Sequence, residues 1–374
     1  MRLRAPDTEA RPTWLELFFD LVFVVVLARL SALLASNPEP KDFLEYFGLF
    51  VAVWFIWVSF TVYSDRFEVD DVLHRLLVLA AMLATIVVAI HVDDAFSGGS
   101  TPFALASIGV RALLVAVNLR AVRTLAEARR YEGRYVVGWS IGLALWAASL
   151  AVPTPARYVV WGVAVAVEVL TPLVVEWRVG RLPLVGSHIA ERFGLFTIIV
   201  LGESVVSVGA GIADVNFALI DSLIAIGTFA IAAALWWLYF DCVTTRHADS
   251  ASFVYAHAFV YGGLGAVAPG ALLCILGADD PSLRGGARAA VFGGVMLYLG
   301  GLAVIEATGR GGEPARRRTA VRALAAVVAL GLAFATASVA PIVAIALLTA
   351  VVVTELVYEL VAVPRARAPT PSVD

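Results

Sequence analysis

Charge and cysteine are scarce in this 374-residue chain. Asp, Glu, Lys and Arg supply 15% of it, and there are two cysteines, Cys242 and Cys274. Two thiols at the ends of different apolar segments exclude a disulfide framework. No C-x-x-C, H-x-x-x-H or H-E-x-x-H spacing is present to hold zinc. The five histidines lie far apart, so no metal and no cofactor is expected. A net charge of −3 selects neither an acidic nor a basic partner. The basic residues sit in short loops without interleaved aromatics, which excludes a nucleic-acid surface. No cleavable leader is expected either. The polar start "MRLRAPDTEARPTW" precedes an apolar run longer than a signal's apolar core, so the first span is expected to be retained.

What is abundant is apolar surface. Apolar residues make up 61% of the chain and the mean hydropathy is +0.89, whereas soluble domains run at about 45–50% apolar. A bilayer core about 30 Å thick takes roughly 20 apolar helical residues. Runs of that kind lie near 14–35, 43–64, 73–92, 102–122, 135–152, 157–177, 188–210, 216–241, 253–276, 285–307, 320–338 and 341–362. Twelve membrane helices are therefore expected. The N-terminus, the even-numbered connections and the C-terminus hold 21 of the 27 basic residues, and the odd-numbered connections hold four. Lys and Arg mark cytoplasmic loops. The split predicts a multi-pass protein of the cell membrane with both termini in the cytoplasm. The basic loops "LRAVRTLAEARRYEGR" and "GRGGEPARRRT" fall on the same side.

The halves look related. "ELFFDLVFVV" at 16–25 aligns with "ERFGLFTIIV" at 191–200, and "TPLVVE" at 171–176 with "TELVYE" at 354–359. Trp57 and Phe60 align with Trp237 and Phe240 at a nearly constant offset. The expected architecture is an all-α integral membrane protein of about twelve transmembrane helices in two parallel six-helix repeats. A cytoplasmic segment at 1–13 is followed by halves at 14–186 and 187–362 and a cytoplasmic tail at 363–374. Parallel repeats of this sort occur in transporters, with the site between the halves.

Three stretches, "WLELFFDLVFVVVLARL", "HIAERFGLFTIIVLGES" and "WWLYFD", resemble the hallmark segments of the bacterial low temperature requirement protein A family. The matching positions are Glu16, Phe18, Asp20, His188, Glu191, Arg192, Phe193, Gly202, Glu203, Trp236, Trp237, Tyr239 and Asp241. The resemblance implies a multi-pass membrane protein linked to growth in the cold. It implies no particular chemistry, because the family's biochemical activity is not established.

The charges inside the spans are the candidates for function. A carboxylate at bilayer depth costs roughly 2.5–3.5 kcal/mol on insertion scales. Arg29 and Glu203 both lie about 15 residues into outward-running helices, about 22 Å from the start at the helical rise, and are an expected ion pair. Arg111 and Glu168 are the second expected pair. Glu16 and Asp20 are four apart and share a helix face. Glu191 and Arg192 lie at the matching level of the seventh span, with Asp241 and His257 nearby. Glu16, Asp20, Glu191, Arg192, Glu203, Asp241 and His257 form the candidate proton or substrate pathway, in which Asp20 and Glu191 line one cavity. Glu176, Glu359, Asp70 and Asp71 read as a solvated rim. "GGLGAVAPG" at 262–270 reads as close helix packing with a proline break at Pro269.

Three functions fit this pattern. The first is a secondary transporter, possibly coupled to protons, moving a small molecule or ion whose identity the sequence leaves open. The alternatives are a membrane-embedded lipid-modifying enzyme, for which no catalytic set stands out, and a non-catalytic membrane scaffold. The lipid bilayer is the one partner expected, and nothing fixes the oligomeric state.

Overall fold

The computed structural model describes residues 1–4, 11–36, 39–96, 98–180, 184–213, 219–242, 248–309 and 312–362. Twelve helices follow in order: α1 (Trp14–Ser36), α2 (Pro40–Arg66), α3 (Val72–Ile90), α4 (Ser100–Thr124), α5 (Arg129–Ser149), α6 (Ala156–Val179), α7 (Gly186–Ala213), α8 (Leu219–Cys242), α9 (Ala251–Leu276), α10 (Gly285–Thr308), α11 (Glu313–Ala335) and α12 (Pro341–Ala362). Among the described residues, ten of them are long and apolar enough to cross a membrane. The chain is thus a helical, multi-pass membrane protein. The expected tail at 363–374 lies outside the described residues, as does the side chain of Cys242.

The helices differ from the sequence expectation in two instructive ways. First, α5 and α11 begin several residues early, at Arg129 and Glu313. Their opening turns are polar, so hydropathy alone ends the span where the apolar run ends, while the backbone hydrogen bonds continue. Second, the all-helical expectation omits a short antiparallel pair. β1 (Arg2–Leu3) pairs with β2 (Phe67–Glu68), with Arg2 opposite Glu68. Arg2 donates to both Glu68 carboxylate oxygens, at 2.8 and 2.9 Å. The extreme N-terminus is thereby fastened beside the end of α2, and this end of the bundle is called the hairpin end below.

Burial sorts the helices. Residues 52–61 of α2 and 260–271 of α9 are buried without interruption, as befits helices apolar all round. By contrast, α3, α5 and α11 expose large apolar side chains such as Leu83, Val137 and Phe334, the face a bilayer would cover. The center is held by close backbone approach between α9 and α10. A Cβ at Gly263 would lie 2.4 Å from the Gly294 carbonyl oxygen, and one at Gly294 would lie 2.6 Å from that of Gly263. Small residues permit this approach, the usual device of helix association in membranes.

Pro269 does not break α9, which continues to Leu276. A proline removes the N–H that would have bonded the carbonyl four residues back, here that of Gly265. The Ser31 hydroxyl of α1 donates to that carbonyl at 3.4 Å. One turn away, the Tyr46 hydroxyl donates to the Gly262 carbonyl at 2.9 Å. Neighboring side chains thus satisfy backbone that water cannot reach, and the helix survives its proline.

Candidate functional site

The site is built at the hairpin end, where α1 and α7 start and α2 finishes. Thr13 and Glu16 form a reciprocal cap on α1. The Glu16 amide donates to Thr13 Oγ1 at 3.3 Å, and the Thr13 amide donates to Glu16 Oε2 at 3.0 Å. This is the S/T-x-x-E capping box, and it holds the Glu16 carboxylate at the mouth of the helix. On the facing start of α7, His188 presents Nε2 to Glu16 Oε2 at 3.1 Å and Nδ1 to Asp65 Oδ1 at 3.0 Å. Asp65, on the last turn of α2, also accepts the Val185 amide at 2.8 Å. The end of α2 is thereby tied to the start of α7.

One turn deeper the pattern repeats. Asp20 follows Glu16 by four residues and Arg192 follows His188 by four, so each lies beneath its predecessor on the same face. Arg192 donates through Nη2 to Asp20 Oδ1. Trp57 Nε1 donates to the same oxygen at 2.7 Å. The guanidinium also lies 5.8 Å from the Trp57 ring centroid, within cation–π range. Asp20, Asp65 and His188 are 0% exposed and Arg192 is 1% exposed. Two atoms of this layer stay without a hydrogen-bond partner, Asp20 Oδ2 and Arg192 Nε. Beyond the pair, aromatic rings close the way. Trp57 stacks on Phe196 at 4.2 Å between centroids and meets Tyr261 edge-on at 6.1 Å. Tyr261 donates to the Phe193 carbonyl at 2.7 Å.

The chemistry of His188 follows from its contacts. Both ring nitrogens face carboxylate oxygens at hydrogen-bonding distance, and two carboxylates and a neutral ring own one hydrogen among them. Two bonds need two hydrogens, so both form at once only when the ring is an imidazolium or one carboxyl is protonated. The Glu16–His188–Asp65 triad is thus built to take up one proton beyond its neutral-ring form and to hold it between two hydrogen bonds.

A cavity of about 640 Å³ opens beside these layers. Its wall takes Glu16, Phe18 and Phe19 from α1, Phe60 and Ser64 from α2, Glu68 from β2, His74, Arg75 and Val78 from α3, and Arg4 and Arg192. The rim outside the helices is electrostatically settled. The Arg2 guanidinium holds the Glu68 carboxyl below its usual range. Asp71 caps α3 by accepting the His74 amide at 3.0 Å, and it pairs with Arg120 at 2.6 Å. The Arg120 hydrogen bond, then that of the amide, hold its carboxyl at about 2.

The other expected residues are scattered. Arg111 and Glu168 do meet, at 2.7 Å and both buried. Arg29 and Glu203 do not. Arg29 lies on an exposed face of α1 and reaches Asp93 at 3.3 Å. Glu203 is half-buried on α7. The pairing expectation took equal depth for proximity, but depth does not fix which way a helix face points. The same error separates Asp20 from Glu191. Glu191 is exposed, and its neighbor Arg192, about 100° around the helix, is the residue that turns inward. Asp241 is exposed and accepts from Trp237 Nε1 at 2.7 Å. His257 is buried away from the triad. Its Nδ1 donates to the Phe253 carbonyl at 2.7 Å, and Tyr239 Oη lies 2.9 Å from its Nε2.

Sequence reasoning missed Asp65, which closes the triad, although "SDRFE" at 64–68 placed charges at the end of a buried helix. It also missed Arg66–Glu132, paired at 2.9 Å in the interior. Glu359, read as part of a solvated rim, is instead buried 2.9 Å from Arg322. Among the described residues, no group of three His, Cys, Asp or Glu side chains is placed to hold a metal ion; in the triad the two carboxylates bond opposite nitrogens of one ring.

Comparison with known proteins adds a family. The model of the bacterial low temperature requirement A protein matches residues 11–355. The chain belongs to the low temperature requirement A family. The match takes in α1 through most of α12, and with them every residue of the triad and of the Asp20–Arg192 pair. An uncharacterized protein of Rhizobium meliloti (strain 1021) is 29% identical over 287 residues, which cover 70% of this chain and 69% of the relative. No solved structure matches.

Proposed function

We propose that this member of the low temperature requirement A family is a proton-coupled secondary transporter of the cell membrane. The observation that supports the reading is the triad beside a cavity. A site that takes up an extra proton on Glu16, His188 and Asp65 has the means to release it when a solute or a conformational change alters the local charge. The Asp20–Arg192 layer and the aromatic plug then form the barrier that keeps the cavity from opening to both sides. In this reading both termini are cytoplasmic, the cavity faces inward, and α1–α6 and α7–α12 are two parallel repeats. Those repeats meet where α1 touches α7. The role in cold growth that the family's name implies would follow from the flux.

The test is electrical. Full-length protein in liposomes on a solid-supported membrane is exposed to panels of organic anions, cations and neutral solutes at pH 6 and pH 8. At least one class should give a transient current whose size depends on pH. His188→Gln should keep the fold, judged by its melting profile, and lose the pH dependence. Currents absent from every class, or a His188→Gln protein with an unchanged pH response, would overturn the reading.

A further inference from the structure

The cavity has a chemical bias. Each carboxylate on its wall is already engaged: Glu16 with His188, Glu68 with Arg2, and Asp70 with Arg75 at 2.5 Å. The buried atoms of its wall that lack a partner are all nitrogens, namely Arg4 Nε, His74 Nδ1 and Arg192 Nε. Arg192 Nε–H is a donor under every condition, and His74 Nδ1 donates when protonated. Arg192 is 1% exposed and His74 is 8% exposed, so neither nitrogen finds water as readily as a surface group would. An unsatisfied buried donor destabilises the site that holds it, at a higher cost when it is charged. An acceptor brought into the cavity would relieve that cost, and an anionic one would relieve most of it. The rest of the wall is apolar and aromatic, with Phe18, Phe19, Phe60 and Val78 facing the same space. The volume falls within the roughly 300–1,000 Å³ typical of small-molecule pockets.

We infer that the cavity binds an amphipathic organic anion, its carboxylate or phosphate on Arg192 Nε–H with Arg4 and His74, and its apolar tail along Phe18, Phe19 and Phe60. As a binding site this stands on the cavity alone. As a statement of what is carried it rests on the transporter reading above. The unpartnered donors on the wall give the site its selectivity, because an anion satisfies them and a cation does not, while the exposed Glu68 and Asp70 already face Arg2 and Arg75. The same chemistry is shared by a water-soluble acid and by an acidic lipid headgroup.

The experiment uses the full chain in nanodiscs of phosphatidylcholine, titrated with octyl phosphate, octanoate and octylamine. The two anions should bind saturably, one per chain, and the amine should not. Arg4→Ala alters an arm outside the helices and should weaken anion binding several-fold with the melting profile unchanged. Ser64→Trp fills the cavity and should abolish it. Arg192→Lys keeps the charge against Asp20 but loses the Nε–H, and should weaken binding about tenfold, the worth of one charge-assisted hydrogen bond. Displacement of octyl phosphate by phosphatidic acid doped into the nanodisc assigns a lipid source, and binding without such displacement assigns a water-soluble one. Equal binding of octylamine, or anion binding untouched by both Arg4→Ala and Ser64→Trp, overturns the inference. The two proposals fail separately. Anion binding without anion-driven current sinks transport and leaves the site. Current driven by another solute class, with no anion binding, sinks the site and leaves transport.

Discussion

Two buried arginine–carboxylate pairs in this molecule look alike in sequence and differ in completeness. Arg111 bonds Glu168 through Nε, the Ser107 carbonyl at 3.4 Å and the Ala52 carbonyl at 3.2 Å. Its guanidinium lies 4.4 Å from the Trp146 ring centroid. A Cβ at Gly142 would come within 2.7 Å of the Glu168 side chain, so that wall is closed too. Arg192 gives one nitrogen to Asp20 and keeps Nε unbonded on the wall of a cavity. Both pairs answer the insertion cost of a charge in the membrane. Of the two, the second leaves a guanidinium nitrogen without a partner, and it does so where a ligand has room. A pair in which every guanidinium nitrogen is bonded fixes its helices. A pair that withholds some is suited to exchange.

The largest expected effect tests the complete pair. Arg111→Leu leaves Glu168 buried and charged, and removal of one partner of a buried pair typically costs 3–5 kcal/mol. Unfolding in mixed micelles should show a loss of that size. Arg111→Leu with Glu168→Leu should recover part of it, because both charges are gone. Asp20→Asn should cost less than Glu168→Gln, since Trp57 still has an oxygen to donate to and Arg192 stands beside the cavity. An Asp20→Asn loss equal to or above that of Glu168→Gln would break the comparison.

The sequence made the helices legible because length and hydropathy act along the chain. The twelve runs and the twelve helices agree within a few residues except where polar turns open α5 and α11. The site was half legible. Glu16-x-x-x-Asp20 was singled out as one charged face of four-residue spacing, whereas His188 entered only as a position matching the family, and its four-residue spacing to Arg192, equally visible, was not read. That the two faces meet was not visible, because rotation about a helix axis is set by packing. That is why Glu191 was chosen beside Asp20 when Arg192 holds the place. Asp65 was not visible because it joins from a third helix, and its partners Val185 and His188 lie 120 and 123 positions away in the chain. The Pro269 break was misjudged for a related reason, since Ser31, which satisfies the freed carbonyl, comes from α1.

A smaller effect separates the two kinds of charge at the hairpin end. Asp71 lies outside the spans and caps α3, and replacing such a cap by Ala costs about 1 kcal/mol. Its carboxyl is depressed from 3.8 to about 2. A depressed acid contributes stability that is complete above its unfolded value and fades as pH falls through its folded one. The Asp71→Ala loss should therefore be the same at pH 8 and pH 5, shrinking only below about pH 4. Melting curves of both proteins across that range give the answer. A loss that changes between pH 8 and pH 5 would mean that Asp71 is coupled to the titration of another group in that range.

The smallest expected effect belongs to the residue that depth alone would rank among the most important. Arg29 sits well inside α1 by count, yet its side chain is 45% exposed and its partner Asp93 is 36% exposed, at 3.3 Å. Exposed pairs are worth about 0–1 kcal/mol, because two long side chains lose freedom for a weak attraction. Arg29→Met should thus cost under about 1 kcal/mol, well below the Arg111→Leu loss. Methionine keeps the apolar stem that packs along the helix, so the measurement isolates the charge. Combined with Glu203→Gln, the two effects should add within about 0.5 kcal/mol, as distant sites do. A coupling well above that would mean that the two meet in the membrane after all. It would restore a charged pair linking α1 to α7 at the end away from the hairpin, a second such contact beside the Asp20–Arg192 layer.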